Sequence, residues 1–289
     1  MESNASYTVL LFYGYRTIED PQATAAWLRA LVEKYRLLGR AIVAEEGINA
    51  TFEGTAENAE AFVLEFTKDP RFADLDIKRS EGTGKSFPKL SVKVRNEIVG
   101  TRFPKEVDPR VKTAPHLSPD ELKKWYEAGR DFVVVDMRNS YEFASGHFKN
   151  SIDPGLQNSR DLPQAVEKLG DLKDKTVLTV CTGGVRCEKM SAYLLHEGFK
   201  DVYQLDGGIH TYMEKYPGED YDGTLYTFDG RVTMDFGGPR SVVGTCRFCE
   251  GKTERYVNCA NNECHLHFLV CIDCVPMDEP AYCSDDCKK

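Results

Sequence analysis

Residues 179–192 of this chain read TVCTGGVRCEKMSA, and this stretch decides the architecture of the central part of the protein. The run Thr176–Val180 predicts a short buried strand, because β-branched side chains pack well on a pleated surface. Apolar residues at helical spacing follow from Glu188 onward. The sequence therefore places Cys181 in a small-residue loop, between the carboxyl end of a strand and the start of a helix.

The loop after Cys181 has the composition of an anion cradle. Its members are Thr182, Gly183, Gly184 and Val185, and Arg186 closes it. Glycines allow backbone N–H groups to converge on one point, and the helix N-terminus adds partial positive charge. Both effects favour the thiolate, which is the reactive form of cysteine. We predict that Cys181 is a catalytic nucleophile and that Arg186 holds an anionic group. The alternative is a buried structural cysteine.

The loop resembles the active-site loop of a rhodanese domain, in which the cysteine carries a persulfide. Four residues separate Cys181 from Arg186, whereas related dual-specificity phosphatases place five between these residues, so the tighter loop favours sulfur over phosphate. The resemblance extends upstream to Asp136, Arg138, Glu142, Gly146 and His147. We expect Asp136 to pair with Arg138 beside the loop and His147 to brace a turn. Catalysis of proton transfer by His147 is the alternative.

Cys187 lies six residues after Cys181, just inside the predicted helix. Two interpretations are open. It is either a packed small residue or a resolving thiol that attacks an oxidised form of Cys181.

Composition sets broad limits on the class of protein. The chain has 289 residues, 41% apolar and 29% charged, which is typical of a globular protein with two or three domains. No apolar run has the length of a membrane span, and the N-terminus has no basic region of a signal peptide. We expect a cytoplasmic protein with no membrane partner, in which ten cysteines are reduced. The sequence leaves the oligomeric state open.

The predicted fold class combines α+β and α/β parts. An order of strand, helix, strand, strand, helix and strand in the first part predicts a ferredoxin-like domain over residues 1–100. The predicted strands cover 7–15, 40–44, 48–52, 75–79 and 90–94, and the predicted helices cover 21–38 and 55–67. A proline-rich linker follows over 101–117.

Alternating short strands and helices over 118–219 predict a parallel sheet covered on both faces, as in a rhodanese domain. In such sheets ligands bind at the carboxyl ends of the strands, where Cys181 lies. Residues 220–245 form a predicted connector with a strand over 231–236, and 246–289 form a small cysteine-rich domain.

Positive charge concentrates in one segment of an otherwise acidic chain. Residues 78–112 contain ten basic and four acidic residues, while the whole chain has a net charge of -9. A local basic segment suits selective docking onto a polyanion, and a solvated strand face is the alternative. Lys89, Lys93 and Arg95 are the candidate residues for such docking.

Eight cysteines in closely spaced pairs predict metal binding by the tail. They are Cys246, Cys249, Cys259, Cys264, Cys271, Cys274, Cys283 and Cys287. Eight thiolates suffice for two tetrahedral structural zinc sites, and metal would supply the folding free energy that so short a segment lacks. The sequence leaves the ligand pairing open, and His265 or His267 is an alternative ligand. Free thiols or disulfides are the other interpretation.

Three motifs together resemble one family, the bacterial rhodanese-related tRNA uridine(34) hydroxylases. They read AEEGINAT at 44–51, CTGGVRCEK at 181–189 and YVNCAN at 256–261. The resemblance covers the whole chain and implies an oxygen-dependent enzyme that forms 5-hydroxyuridine at the wobble position of the tRNA anticodon loop. It also implies that Cys181 is the active cysteine and that molecular oxygen is a co-substrate. The sequence contains no flavin or haem motif.

Two alternatives to hydroxylation are open. One is a sulfurtransferase that moves sulfane sulfur from thiosulfate or a persulfide to a thiol acceptor through a Cys181 persulfide. The other is a regulator with an inert rhodanese domain. An inert domain has usually lost its cysteine or its arginine, whereas Cys181 and Arg186 are both present.

Overall fold

The N-terminal part of the chain forms a five-stranded sheet with two helices on one face. A computed structural model describes residues 6–264 and 266–288. The sheet has the strand order β4-β1-β3-β2-β5, in which only β2 and β5 are parallel. The elements are β1 (Tyr7–Tyr15), α1 (Pro21–Lys34), β2 (Leu38–Ala44), β3 (Gly47–Thr55), α2 (Ala56–Phe66), β4 (Lys78–Gly82) and β5 (Leu90–Val94). The ferredoxin-like prediction is confirmed, with β5 as an added edge strand.

The two faces of this sheet have different partners. Leu10 and Phe12 of β1 point toward the helices and join a buried core with Phe62 and Phe66 of α2. Because successive side chains on a strand alternate, Leu11 of β1 points to the opposite face. In the described part of this domain neither helix covers that second face, which faces the rest of the protein.

Two elements of this domain differ from the prediction. The strand predicted over 75–79 is observed as β4 at Lys78–Gly82. The helix predicted over 21–38 ends at Lys34, because Arg36 adopts a left-handed φ of 55° and Leu38 already belongs to β2. The early turn brings β2 back alongside β3.

The middle part of the chain forms a parallel sheet of order β6-β10-β9-β7 with helices on both faces. Its elements are β6 (His116–Leu117), α3 (Pro119–Glu127), β7 (Val133–Asp136), α4 (Ser140–Phe143), β8 (Gly146–Phe148), α5 (Leu162–Lys168), β9 (Thr176–Val180), α6 (Val185–His196), β10 (Asp201–Leu205) and α7 (Gly208–Lys215). The sheet begins inside the predicted linker, because His116 and Leu117 pair with β10. The prediction of a rhodanese-like α/β fold is confirmed.

The last part of the chain consists of small hairpins. Its elements are β11 (Tyr221–Gly223), β12 (Leu225–Tyr226), β13 (Thr233–Met234), β14 (Tyr256–Asn258) and β15 (His267–Leu269). β11 extends β8, while β12 pairs with β13 and β14 with β15. The strand predicted over 231–236 is reduced to β13. Three cysteines of the tail, Cys246, Cys259 and Cys283, belong to the small buried core around Phe268, each with a relative exposure of 7% or less.

The connector ties the first two domains together. The Gly230 amide donates to the Ser86 carbonyl at 2.8 Å, and Arg231 Nη1 donates to Ser80 Oγ at 2.8 Å. Tyr15 Oη also donates to the Val185 carbonyl at the start of α6. The second face of the N-terminal sheet therefore lies against the loop that follows β9. No helix in the described part of the chain is both long and apolar enough to cross a membrane.

Candidate active site and cysteine clusters

Cys181 follows β9 directly, at the carboxyl end of the parallel sheet. The Gly184 amide donates to Cys181 Sγ at 3.2 Å. Gly184 has a φ of 104°, and a Cβ atom there would lie 2.6 Å from the Tyr13 hydroxyl oxygen. Both the backbone conformation and the neighbouring tyrosine therefore require glycine at this position. The predicted small-residue cradle is present around the sulfur atom.

The surroundings of Cys181 favour its thiolate. Burial opposes ionisation, but the Cys187 thiol, the Arg186 charge and the backbone amides of both residues lower the pKa of Cys181 to about 6. Burial and the neighbouring Cys181 charge raise the pKa of Cys187. The two sulfurs thus have opposite roles, because the Cys187 thiol donates the hydrogen bond that the Cys181 thiolate accepts.

Arg186 is held by a carboxylate from another element. Its Nη1 and Nη2 atoms lie 2.6 and 2.8 Å from the two carboxylate oxygens of Glu142, and Nη2 also donates to Thr182 Oγ1 at 3.1 Å. Glu142 is fully buried, and Arg186 is 8% exposed. Burial opposes its charge, but Glu142 raises the pKa of Arg186. The bidentate pair fixes a permanent positive charge beside the sulfur.

Asp136 and Arg138 form the predicted pair, and it is fully buried. Arg138 Nη2 lies 2.6 Å from Asp136 Oδ2 and 2.7 Å from the Gly146 carbonyl. His147 Nδ1 lies 3.0 Å from the Phe143 carbonyl, and its ring stacks on Phe143 at 4.0 Å. These contacts fix the loop between β7 and β8, which carries Glu142.

The N-terminal domain contacts the start of α6 through buried charges. Lys189 Nζ lies 2.9 Å from Glu46 and 2.8 Å from Glu97. The preceding residue of the same helix, Glu188, accepts from Gln204 Nε2 at 3.0 Å and from the Tyr13 hydroxyl at 3.4 Å. Because Lys189 is only 5% exposed in its side chain, this contact orients one domain against the other.

A cavity of about 500 Å³ lies in front of Cys181. Its walls come mainly from the free face of the N-terminal sheet, the loop 181–186, and the connector hairpin of β12 and β13, with further residues from 98–100, 139, 158–160 and 210. Its lining includes Leu11, Tyr13, Arg40, Asn49, Thr51, Lys78, Asn158, Arg160, Cys181, Arg186, His210 and Phe228. The sulfur is therefore buried without being enclosed in packed hydrocarbon, and a planar group the size of a nucleobase fits in the cavity in front of it.

The cavity lining contains neutral and aromatic side chains as well as cationic ones. Burial and the nearby charges of Lys78 and Arg231 lower the pKa of His210 to about 4, so its imidazole is neutral at pH 7. The Phe228 ring is 41% exposed, and the guanidinium carbons of Arg40 and Arg186 lie 5.5 and 5.6 Å from its centre. This mixture of π surface and positive charge suits an anionic, aromatic ligand.

Three family descriptions match successive parts of the chain. Residues 7–98 match the UPF0176 acylphosphatase-like domain, 118–215 the rhodanese-like domain, and 222–288 the rhodanese C-terminal region. A Cytophaga hutchinsonii protein named tRNA uridine(34) hydroxylase is 42% identical over 98% of this chain and 90% of its own length. Proteins of the same name from Staphylococcus aureus MRSA252 and Corynebacterium kroppenstedtii are 42% and 40% identical, over 98% and 96% of this chain and 90% and 96% of their own lengths.

This chain belongs to the tRNA uridine(34) hydroxylase family. The identity is high, and it extends over the ferredoxin-like, rhodanese and cysteine-rich parts alike. The family resemblance predicted from the three sequence motifs is thereby confirmed.

The predicted docking residues Lys89, Lys93 and Arg95 do not line the cavity. All three are exposed, and within the described residues none has an ion-pair partner. In the β-ladder Lys93 pairs with Ile42, and Ile42 pairs with Asn49, so Lys93 points to the same sheet face as these cavity residues. Lys89 and Arg95 are separated from Lys93 by even steps along β5 and its ends. Lys93 therefore lies on the continuation of the cavity's sheet wall, and Lys89 and Arg95 flank it at the two ends of β5.

The eight tail cysteines form two separate clusters. Cys246, Cys249, Cys271 and Cys274 make one cluster, and Cys259, Cys264, Cys283 and Cys287 make the other. The eight cysteines form four close pairs along the chain. The first and third pairs make one cluster and the second and fourth make the other, so the two clusters interleave in the sequence. The sequence did not determine this pairing, which depends on how the hairpin of β14 and β15 folds between the cysteine turns.

Both clusters have the geometry of a four-thiolate metal site. The sulfurs of each cluster lie within 4.8 Å of one another, with Cys249–Cys271 at 3.6 Å and Cys283–Cys287 at 3.4 Å. Tetrahedral zinc with bonds of about 2.3 Å places its sulfurs about 3.8 Å apart. His267 is not a member of either cluster, since its ring nitrogens contact Asn258 Oδ1 and the Tyr226 hydroxyl. The other alternative ligand, His265, lies outside the described residues.

Sequence reasoning missed several residues around Cys181. Glu142 was part of the rhodanese resemblance, but its pairing with Arg186 was not predicted. Tyr13, Asn49 and Phe228 reach the cavity from other domains, and the motif AEEGINAT gave only the family signal for Asn49. No local pattern marks Phe228, because its role depends on how the connector folds across the N-terminal sheet.

Proposed function

We propose that this protein hydroxylates C5 of the wobble uridine in the anticodon loop of tRNA, with molecular oxygen as co-substrate and Cys181 as the active cysteine. One observation carries the proposal within the chain: a thiol with a lowered pKa faces a cavity, large enough for a nucleobase, between the N-terminal domain, the rhodanese domain and the connector. Relatives that cover almost the whole chain bear the name of this activity. A wobble base lies in a single-stranded loop, so it can leave its stack at low cost.

The reaction replaces the C5–H bond of uracil with a C5–OH bond and removes two electrons from the base. Oxygen accepts four electrons in all, so a reductant must supply the other two. With two thiols as that reductant, one oxygen atom enters the base, the other leaves as water, and a disulfide forms. Cys181 is the sulfur that carries the oxidised intermediate in this proposal.

The residues around Cys181 have distinct tasks in this scheme. The Arg186 side chain and the backbone amides of Gly184, Arg186 and Cys187 stabilise negative charge on the sulfur and on the group bound to it. Asp136 and Arg138 support the loop that carries Glu142. Cys187 supports the Cys181 thiolate by lowering its pKa, and this role is the same whether Cys187 is a packed residue or a resolving thiol.

We propose that Lys89, Lys93 and Arg95 contact tRNA phosphates while the anticodon loop enters the cavity. Their exposure and their shared sheet face support this orientation, and Arg40 continues the positive charge into the cavity. Binding should weaken as salt rises, since each phosphate contact releases counterions.

We propose that each cysteine cluster binds one structural zinc ion. Zinc suits a closed set of four thiolates and supplies folding free energy to a domain with a small core. Its chemistry here is structural, because neither cluster lines the cavity.

The decisive test uses a bacterial strain lacking its own uridine-34 hydroxylase. Expression of this protein should restore 5-hydroxyuridine-derived nucleosides in bulk tRNA, measured by mass spectrometry, and Cys181→Ser should not. Full restoration by Cys181→Ser would show that this cysteine does not carry the reaction. Absence of the nucleosides with the unmodified protein, at equal expression, would overturn the proposed activity.

The docking surface is tested by charge reversal in the full-length protein. Lys89, Lys93 and Arg95 are changed together to Glu, and tRNA affinity is measured over a range of salt concentrations. A control replaces Lys34, Arg36 and Lys68, on the helical side of the same domain. In the first variant only, we expect weaker tRNA binding. We also expect the slope of log affinity against log salt concentration to fall by the equivalent of up to about three phosphate contacts. Unchanged binding would contradict this orientation.

A second candidate function is sulfur transfer, favoured by the tight loop that connects Cys181 to Arg186. Here the thiolate attacks the outer sulfur of thiosulfate, the S–S bond breaks, sulfite leaves with the bonding electrons, and a persulfide forms on Cys181. A thiol acceptor then takes the sulfur and restores the thiolate. A Cys181 persulfide together with unmodified tRNA in the complementation test would favour this function over hydroxylation.

A further inference from the structure

Asn49 connects the family motif of the N-terminal domain to the reactive sulfur. In the β-ladder Asn49 lies directly opposite Tyr13, so the two side chains are neighbours on the cavity face of the sheet. The Tyr13 hydroxyl lies against Gly184, whose amide donates to Cys181 Sγ. Asn49 is therefore separated from the sulfur by one tyrosine and one glycine.

The side-chain amide of Asn49 keeps part of its hydrogen-bonding capacity free. Nδ2 donates one hydrogen bond to the Ile98 carbonyl at 3.3 Å, while Oδ1 accepts none from the described residues. The Ile98 amide in turn donates to Glu46 Oε1 at 2.8 Å, which fixes the segment that Asn49 contacts. Asn49 is half-buried and lines the cavity, so one N–H and the carbonyl oxygen of its amide are available to a ligand bound there.

Asparagine is an unusual choice for the middle of a central strand, where β-branched and aromatic residues are favoured. When a cavity-lining residue departs from the usual residue preferences of a strand, a functional requirement is indicated. The cationic side chains of the cavity cannot both donate and accept hydrogen bonds as Asn49 can, because Arg40 and Lys78 only donate them. Asp229, the acidic residue of the lining, is paired with Arg231 at 2.6 Å.

We propose that Asn49 reads the Watson–Crick edge of the substrate uracil, with Oδ1 accepting from N3–H and Nδ2 donating to O4. Uracil presents one donor, N3–H, between two carbonyl acceptors, and a carboxamide offers the matching acceptor and donor. The residues around Cys181 stabilise its thiolate and bind an anionic group. Asn49 instead determines which base the cavity accepts. This inference rests on the proposed hydroxylation of uridine and adds its specificity-determining residue.

The test measures binding of full-length protein to two anticodon stem-loop RNAs that differ only at position 34. One carries uridine and the other 3-methyluridine, which lacks the N3–H donor. The unmodified protein should bind the uridine RNA about 10-fold or more tightly than the methylated one. Asn49→Leu keeps the side-chain size, so any purely steric discrimination is retained while the hydrogen bonds are lost. We expect the ratio of the two affinities to fall by about 10-fold in this variant.

Asn58→Leu is the matched control, since Asn58 lies on α2 at the other face of the same sheet. It should keep the full ratio. The alkylation rate of Cys181 should be unchanged in Asn49→Leu, which separates base reading from a role in forming the cradle of the sulfur. A second variant, Asn49→Asp, keeps the acceptor for N3–H and loses the donor to O4, so its ratio should exceed that of Asn49→Leu.

Equal binding of both RNAs by the unmodified protein, or an undiminished ratio in Asn49→Leu, would overturn the inference. Neither result touches the proposed activity, which depends on the 5-hydroxyuridine-derived nucleosides in the complementation test. Conversely, if the protein discriminates between the two RNAs but forms no such nucleosides, the inference about Asn49 stands and the proposed hydroxylation is wrong.

Discussion

The Lys189 ammonium lies 2.9 Å from the Glu46 carboxylate, and this contact joins the two most specific sequence motifs of the chain. Glu46 belongs to the turn between β2 and β3, and Lys189 lies in α6 next to the cradle of Cys181. A second carboxylate, Glu97, lies 2.8 Å from the same nitrogen. The pair places the free sheet face over the reactive loop, so the cavity depends on a contact between domains.

Lys189→Met should disrupt this orientation. The change leaves two acidic groups without their buried partner, and breaking such a contact costs about 3 kcal/mol of unfolding free energy. Urea unfolding would measure the loss, and tRNA hydroxylation in cells should fall with it. Lys175→Met, at an exposed position, is the control and should change neither quantity. A variant at Lys189 with the stability and activity of the original protein would show that the contact is dispensable.

The reactivity of Cys181 should depend on pH with a midpoint near 6, because its pKa is lowered to about 6. Alkylation by iodoacetamide, followed by peptide mass spectrometry, should slow as the pH falls through this value and reach a plateau above it. Since the folded-state pKa is depressed, the associated stability is complete above the pKa of the unfolded thiol and is lost as pH falls through about 6. Cys187 should react far more slowly at neutral pH, because its pKa is raised. A midpoint for Cys181 near that of a free thiol would contradict the assignment.

Glu142→Gln should weaken both the fold and the reaction. The substitution keeps the shape of the side chain but removes the charge that pairs with buried Arg186, and the expected cost is about 3 kcal/mol. The midpoint for Cys181 alkylation should also shift, because Arg186 is no longer held in one orientation. Glu167→Gln, on the exposed surface of α5, is the control for loss of one negative charge. Unchanged unfolding free energy and an unchanged midpoint in Glu142→Gln would argue against a positioning role.

Phe228→Ala should lower the activity toward tRNA with little effect on folding, because the ring is 41% exposed and lines the cavity. Loss of a stacking contact costs about 1–3 kcal/mol per base. The matched control is Phe248→Ala, since Phe248 is 46% exposed but lies in the tail. Levels of 5-hydroxyuridine-derived nucleosides in complemented cells would compare the two. An equal effect of both substitutions would indicate that exposed phenylalanines matter only for solubility.

The zinc content should fall by one ion for each cysteine cluster that is disrupted. The purified protein should contain about two zinc ions, while Cys246→Ser and Cys259→Ser should each retain about one, with elemental analysis as the measurement. Cys181→Ser is the control and should retain both. Removal of zinc by a chelator should unfold the tail, because its buried core consists largely of the ligands themselves. Purified protein without zinc would remove this assignment.

Local sequence patterns predicted the parts of the site that are close together in the chain. Val180, Cys181 and Gly184 form a strand end, a nucleophile and a left-handed turn within five residues, so their arrangement depends on backbone preferences alone. The pairing of Asp136 with Arg138 could be predicted for the same reason. The predicted helix end at Leu38 was wrong, because the alternation that starts β2 at Leu38 also fits the end of a helical stripe.

The partners of the active loop could not be predicted, because they come from distant parts of the chain. Glu142 and Arg186 are separated by 44 positions, and Tyr13 and Glu188 by 175. Which side chains meet at such separations depends on which faces of the domains pack together, and apolar periodicity does not specify this.

By itself, the sequence determined the ferredoxin-like and rhodanese-like folds, the strand-end cysteine and the eight metal-ligand candidates, because each is a pattern of neighbouring residues. The tertiary structure alone decided that Asn49 and Phe228 share a cavity with Cys181 and that the cysteine pairs interleave. Both outcomes require separate elements to be docked at a fixed register, and that register is set by buried contacts such as Lys189 with Glu46.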